Sequence, residues 1–141
     1  MLTLTKIFRF EAAHAIHGYA GKCRHIHGHS YELHVTVAHQ EPVHDFIGGQ
    51  GILIDFKEIK SIMQDTLVML DHKLVLSKKY LAEHTRQFSD EEILVFEVEP
   101  TAENLLLFLR NRIVPVLPKG FMIHKLVLWE TRDSYASWLA S

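Results

Sequence analysis

The periodicities along this sequence predict an α+β domain in which two helices cover one face of a four-stranded antiparallel sheet, in ββααββ order. Three observations carry the prediction. Residues 30–39 alternate cleanly, with Tyr31, Leu33, Val35 and Val37 facing one way and Glu32, His34 and Thr36 the other. Residues 56–70 and 102–113 instead repeat apolar side chains at spacings of three and four, the period of a half-buried helix. The 141 residues contain no internal repeat, low-complexity segment or linker, so residues 1–141 are expected to form one domain.

The first strand is expected over residues 2–13. Leu2, Leu4, Phe8 and Phe10 share one parity there, with Thr3, Thr5, Arg9 and Glu11 on the other. Residues 15–24, with Gly18 and Gly21, form a loop before the second strand at 30–39. A turn region rich in glycine follows at 41–51. Asp55 then suits the N-cap of the first helix, whose stripe is Phe56, Ile59, Met63, Leu67 and Leu70. Residues 73–92 are charged and irregular, and are expected to be an exposed excursion, followed by a short apolar run at 93–98 that suits a strand. Thr101 caps the second helix, which buries Ala102, Leu105, Leu106, Leu109 and Ile113 and is stopped by Pro115 and Pro118. Strands at 121–130 and 134–139 complete the domain.

Composition narrows the function. A formal net charge of −2 argues against a dedicated nucleic-acid binder and offers no polybasic patch to a membrane. No apolar run approaches the roughly 20 residues that cross a bilayer, and the N-terminus lacks the plan of a signal peptide. The single cysteine forbids an internal disulfide, so a reducing cytoplasm is the expected compartment. Eleven histidines, spread through the chain, are the one excess.

Three of them fall in Cys23-Arg24-His25-Ile26-His27-Gly28-His29, and His14 lies upstream. In an extended segment, residues two apart share a face, so His27 and His29 can converge on one ion, with His14 arriving from a neighbouring strand. Three imidazoles and a vacant position make a catalytic zinc site, whereas four protein ligands make a structural one. By spacing alone His25 is as good a ligand as His27. Cys23 has the same parity, so a closed Cys-His-His-His site competes with the open one. Cys23 also sits between Lys22 and Arg24, and positive surroundings favour the reactive thiolate. Asp71-His72 can act as a proton-relay pair, or simply end a helix. Glu130 continues the parity of Leu126 and Leu128, and needs a partner with two adjacent N–H donors if it is buried. Glu103 complements the dipole of its helix.

The ordered set Phe10-Glu11-Ala12-Ala13-His14, Cys23-x-x-x-His27-Gly28-His29, Ile54-Asp55-Phe56, Leu70-Asp71-His72, Pro100-Thr101-Ala102-Glu103-Asn104 and Glu130-Thr131 resembles the 6-pyruvoyltetrahydropterin synthase superfamily. The cysteine spacing most resembles its 6-carboxytetrahydropterin synthase branch, of the queuosine precursor pathway. The resemblance covers nearly the whole chain. It implies a tunnelling fold whose sheets assemble into an oligomeric barrel, usually a hexamer of two trimers. It implies Zn2+ on His14, His27 and His29, which sets His25 aside, and Cys23 as general base. Asp71 and His72 become the partner acid/base pair, usually contributed across a subunit interface. Glu130 becomes the anchor of the pterin, with Thr101 and Glu103 beside it. The implied substrate is 7,8-dihydroneopterin triphosphate, and the products are 6-carboxytetrahydropterin, acetaldehyde and triphosphate. The runner-up is triphosphate elimination to the 6-pyruvoyl product. A non-catalytic zinc-stabilised, pterin-binding homologue is the alternative outside catalysis.

Overall fold

A computed structural model describes residues 1–84 and 88–141 of the chain. Its centre is the antiparallel pair β1 (Thr3–His14) and β2 (His27–His39), in register from Thr3 opposite Ala38 to His14 opposite His27. The even-numbered residues of β1 and the odd-numbered residues of β2 turn to one face. Phe8, Phe10, Ala12, Tyr31, Leu33, Val35 and Val37 are buried there. Both strands run further than the alternation of apolar residues predicts, because their extra residues are His14 and His27 to His29. The core parity thus continues into the histidines, which end up on the inner face of the sheet.

α1 (Phe56–Val68) and α3 (Ala102–Ile113) cover that face. Between them in sequence comes a short helix, α2 (Lys78–Glu83), whose Tyr80 packs in a separate cluster with Ala15 and Leu76. Asp55 accepts from the Lys57 N–H at 2.8 Å, and Thr101 from the Asn104 N–H at 3.3 Å, so both predicted caps are made. α1 buries Ile59 and Met63, and α3 buries Leu105, Leu106, Leu109 and Ile113, against the inner sheet face. Phe56 instead remains about half exposed.

The sheet has six strands among the described residues, where a four-stranded sheet was expected; one of the two additional strands is the short run that suited a strand at 93–98. β5 (Phe121–Trp129) joins β2 and β6 (Tyr135–Leu139) joins β5, both antiparallel. On the other side β3 (Lys73–Ser77) lies parallel to β1, and β4 (Ile93–Phe96) parallel to β3, giving the order β4-β3-β1-β2-β5-β6. The expected exposed excursion is therefore corrected at residues 73–83, while 89–92 are exposed and irregular as expected; residues 85–87 lie outside the described ones. Leu74-Val75-Leu76 is too short to show a period. Its charged neighbours hid a strand that buries Val75 and Leu76 beside β1, while Ser77 caps α2. The antiparallel order ββααββ is likewise replaced by a mixed sheet with β3 and β4 inserted between α1 and α3.

Leu33 lies fully buried in the middle of β2, between β1 and β5. Leu33→Ala is expected to destabilise the fold by about 2–5 kcal/mol through lost burial and a residual cavity. Urea unfolding at fixed protein concentration checks this. An unchanged midpoint would contradict the core placement.

Candidate active site

The site begins with the end of the β1–β2 pair. His14 and His27 are cross-strand partners, and His29 sits opposite Ala12, two residues along the same face. The Nε2 atoms of His14 and His27 are 3.1 Å apart. One nitrogen from each of His14, His27 and His29 lies within 4.8 Å of the others. Two backbone carbonyls set the tautomers. His14 Nδ1–H donates to the Pro100 carbonyl at 2.6 Å, and His27 Nδ1–H to the His25 carbonyl at 2.7 Å. A neutral imidazole has one N–H, so both Nε2 atoms carry lone pairs and face one another with no proton between them. The Nε2 of His29 is buried with no hydrogen-bond partner. Burial also holds the His14 and His29 rings below the usual histidine pKa, which favours their neutral form. Two imidazoles oriented through their far nitrogens, with the unpartnered Nε2 of His29 beside them, fit a metal ion. They do not fit a hydrogen-bonded cluster. His25 takes part through its carbonyl and not its ring.

The loop around Pro100 is held by Glu99. Its carboxylate accepts from Ser77 Oγ at 2.6 Å and from the His17 N–H at 2.8 Å, while its carbonyl accepts from Asn104 Nδ2 at 2.9 Å. The corrected strand β3 thereby helps to aim the His14 ring. Gly28 lies opposite Ala13, where an added Cβ would meet Ala12 O at 3.6 Å, an ordinary contact. The glycine is thus not required by crowding at this point.

Beside the histidines is a cavity of about 430 Å³ whose lining includes His14, Cys23, Thr101, Glu103 and Glu130. Cys23 is exposed, in a 3-10 turn at Lys22–Arg24, and is tied back by the Ile16 N–H donating to its carbonyl at 2.8 Å. Among the described residues it is not part of the metal-ligand cluster, so the closed four-ligand arrangement is not formed. Glu130 follows β5 and continues its inward parity. Its Oε1 accepts from Tyr31 O–H at 3.4 Å and stands 3.5 Å from His14 Nε2 and 3.7 Å from His29 Nε2. Burial first, then the Glu130 charge, pushes the Tyr31 hydroxyl pKa well up, so the phenol keeps its proton and donates. Tyr31 reads from sequence only as a core residue. Its parity with His27 and His29 was the signal for more.

Asp71 and His72 lie elsewhere in the chain. Asp71 Oδ1 accepts from the Glu11 N–H at 2.9 Å and is 3.1 Å from His72 Nδ1. The Glu11 N–H, then His72, hold the Asp71 carboxyl below its usual pKa. His72 is largely exposed and lines a different cavity from Cys23, together with Glu11, Gly28, Ser30 and the triad residue His29. One chain therefore brings Cys23, Glu130, Thr101, Glu103 and His14 to one cavity, and His72 with His29 to another. His72 has φ of 60°, the single positive-φ non-glycine among the described residues. Such strain persists only where surrounding structure enforces it. Here the His72 N–H bond to the Glu11 carbonyl does so.

Comparison with known proteins places these features in a family. A protein of Rickettsia typhi named 6-carboxy-5,6,7,8-tetrahydropterin synthase is 31% identical, over 96% of this chain and 98% of its own length. A Haemophilus influenzae protein of the same name is 27% identical over 98% and 99%. Among solved structures, the 6-pyruvoyl tetrahydropterin synthase of Caenorhabditis elegans superposes with a TM-score of 0.72 at 20% identity, covering 99% of this chain and 96% of that one. That of Plasmodium vivax gives 0.71 at 16% identity, covering 98% of each. The structures share the fold, and the family model of 6-pyruvoyl tetrahydropterin synthase matches residues 3–140. With the match running from the start of β1 to the end of β6, this chain belongs to the 6-pyruvoyl tetrahydropterin synthase family.

Proposed function

We propose that the chain is a zinc-dependent 6-carboxy-5,6,7,8-tetrahydropterin synthase, folded as one domain. It converts 7,8-dihydroneopterin triphosphate to 6-carboxytetrahydropterin, acetaldehyde and triphosphate, as a lyase in queuosine biosynthesis. The observation that carries this reading is the single cavity into which Cys23, Glu130 and the His14 end of the histidine triad all open. The curated relatives matched at nearly full length support the 6-carboxy product over the 6-pyruvoyl one.

His14, His27 and His29 hold the zinc, which when bound supplies a Lewis acid toward the hydroxyls of the substrate side chain. Glu130 binds the ring, because a carboxylate matches two adjacent N–H donors and no other carboxylate is so placed beside the triad among the described residues. Thr101 and Glu103 form the wall of the same cavity at the start of α3. Cys23 Sγ takes a proton from the substrate side chain on one face. The opposite face is served by Asp71 and His72 of a neighbouring subunit, where the Asp71 carboxylate orients the imidazole. The edge strands β4 and β6 each have an unpaired side in one chain, as expected of sheets that join into a barrel. We read the assembly as a cytoplasmic homohexamer of two trimers. Among the described residues, no helix is long and apolar enough to cross a membrane.

Incubation with 7,8-dihydroneopterin triphosphate is expected to release one acetaldehyde per triphosphate. Triphosphate release with a 6-pyruvoyl product and no acetaldehyde would replace this reaction with the family's elimination chemistry.

A further inference from the structure

We infer that Glu130 is a displaceable fourth ligand of the metal, exchanged between the ion and the pterin ring. Three features of its carboxylate lead there. Oε1 lies beside the nitrogens of the triad, at 3.5 Å from His14 Nε2 and 3.7 Å from His29 Nε2. Ligand atoms on a tetrahedral zinc with bonds near 2.1 Å lie about 3.3–3.5 Å apart, so the first separation matches that spacing and the second exceeds it by about 0.2 Å, a shift that a side-chain adjustment supplies. The partners are also wrong for hydrogen bonding. His14 Nε2 carries a lone pair, because its proton is on Nδ1 and donated to Pro100. A carboxylate oxygen facing that lone pair repels it unless a cation sits between them. Tyr31, the one group seen to donate to Oε1, does so at a long 3.4 Å and leaves its second lone pair free.

The same carboxylate is the group that suits the pterin's adjacent N–H donors, and it cannot face ring and metal with one geometry. Arrival of the ring would draw the Glu130 carboxylate toward the ring donors, and the three histidines would then hold the ion alone. The inference deepens the zinc reading above, and does not depend on which products follow.

Cobalt(II) tests it, since its visible bands report coordination in sites built for zinc. The Co2+-loaded protein is titrated with unsubstituted pterin, which presents the ring donors and has no side chain to offer the ion. In the wild type the visible bands are expected to change as pterin saturates. In Glu130→Gln and Glu130→Ala the bands differ from wild type before any pterin is added and stay unchanged on its addition. Their Co2+ affinity, measured by chelator competition, falls by about tenfold or more. Equal bands and equal affinity in the wild type and both variants would overturn the inference. So would wild-type bands that do not respond to saturating pterin, a measurement that needs no variant to fold. Because neither readout requires turnover, a failed acetaldehyde assay would remove the proposed reaction and leave this result standing.

Discussion

Replacing Cys23 with alanine is expected to lower kcat by about 10²–10⁴-fold, the range for loss of a positioned proton-transfer group. The zinc content is expected to remain at the wild-type level. Both halves follow from where the side chain lies. Cys23 is exposed, on a turn anchored by its own carbonyl and not by its thiol, so truncation leaves the turn intact. Exposed substitutions of this kind stay within about 0.5 kcal/mol of wild-type stability. It borders the cavity that holds His14 and Glu130, but it is absent from the metal-ligand group. Loss of zinc along with activity would restore the four-ligand structural site. Unchanged turnover with retained zinc would leave Cys23 without a role, and would favour a non-catalytic pterin-binding homologue.

The sequence revealed the centre of this site because its geometry follows from parity. His27 and His29 two apart, facing His14 across an antiparallel pair, need only the rule that alternate residues share a face, and the register places them so. Glu130 was legible for the same reason. What stayed hidden depends on partners distant in sequence. The choice of His27 over His25 turns on which ring points inward and on a carbonyl of His25 that fixes the neighbouring tautomer. The Pro100 carbonyl reaches His14 across 86 residues of chain separation, and nothing in either local sequence announces it. β3 was missed because its burial is supplied by β1 and β4 on either side, while its own flanks, Lys73, Lys78 and Lys79, read as surface. That strand braces its surroundings at both ends: Ser77 at its end holds Glu99, and Asp71 just before its start accepts from the Glu11 N–H of β1.

The placement of Asp71 and His72 leads to the second large effect, which tests assembly and mechanism together. Both Cys23→Ala and His72→Ala homo-oligomers are expected to be nearly inactive. Mixed oligomers, made by co-expressing the two with different tags, are expected to recover activity. The reason is geometric. Within one chain Cys23 and His72 line different cavities, Cys23 beside His14 and Glu130 and the exposed His72 beside His29. In the proposed assembly a site using both groups draws them from two chains. If subunits mix at random in equal amounts, roughly a quarter of the interfaces pair a normal Cys23 with a normal His72, as the symmetry of identical interfaces requires. Recovery to about that fraction of wild-type turnover is the expected result. The arithmetic depends on pairing across the interface, because no single chain in the mixture carries both groups. A mixture as inactive as its parents, with both chains present in the purified oligomer, would show that the two residues act from the same chain, and a fully active His72→Ala parent would show that His72 has no part. His72 is largely exposed, so its truncation does not open the core, and melting temperatures of both parents near that of the wild type complete the control.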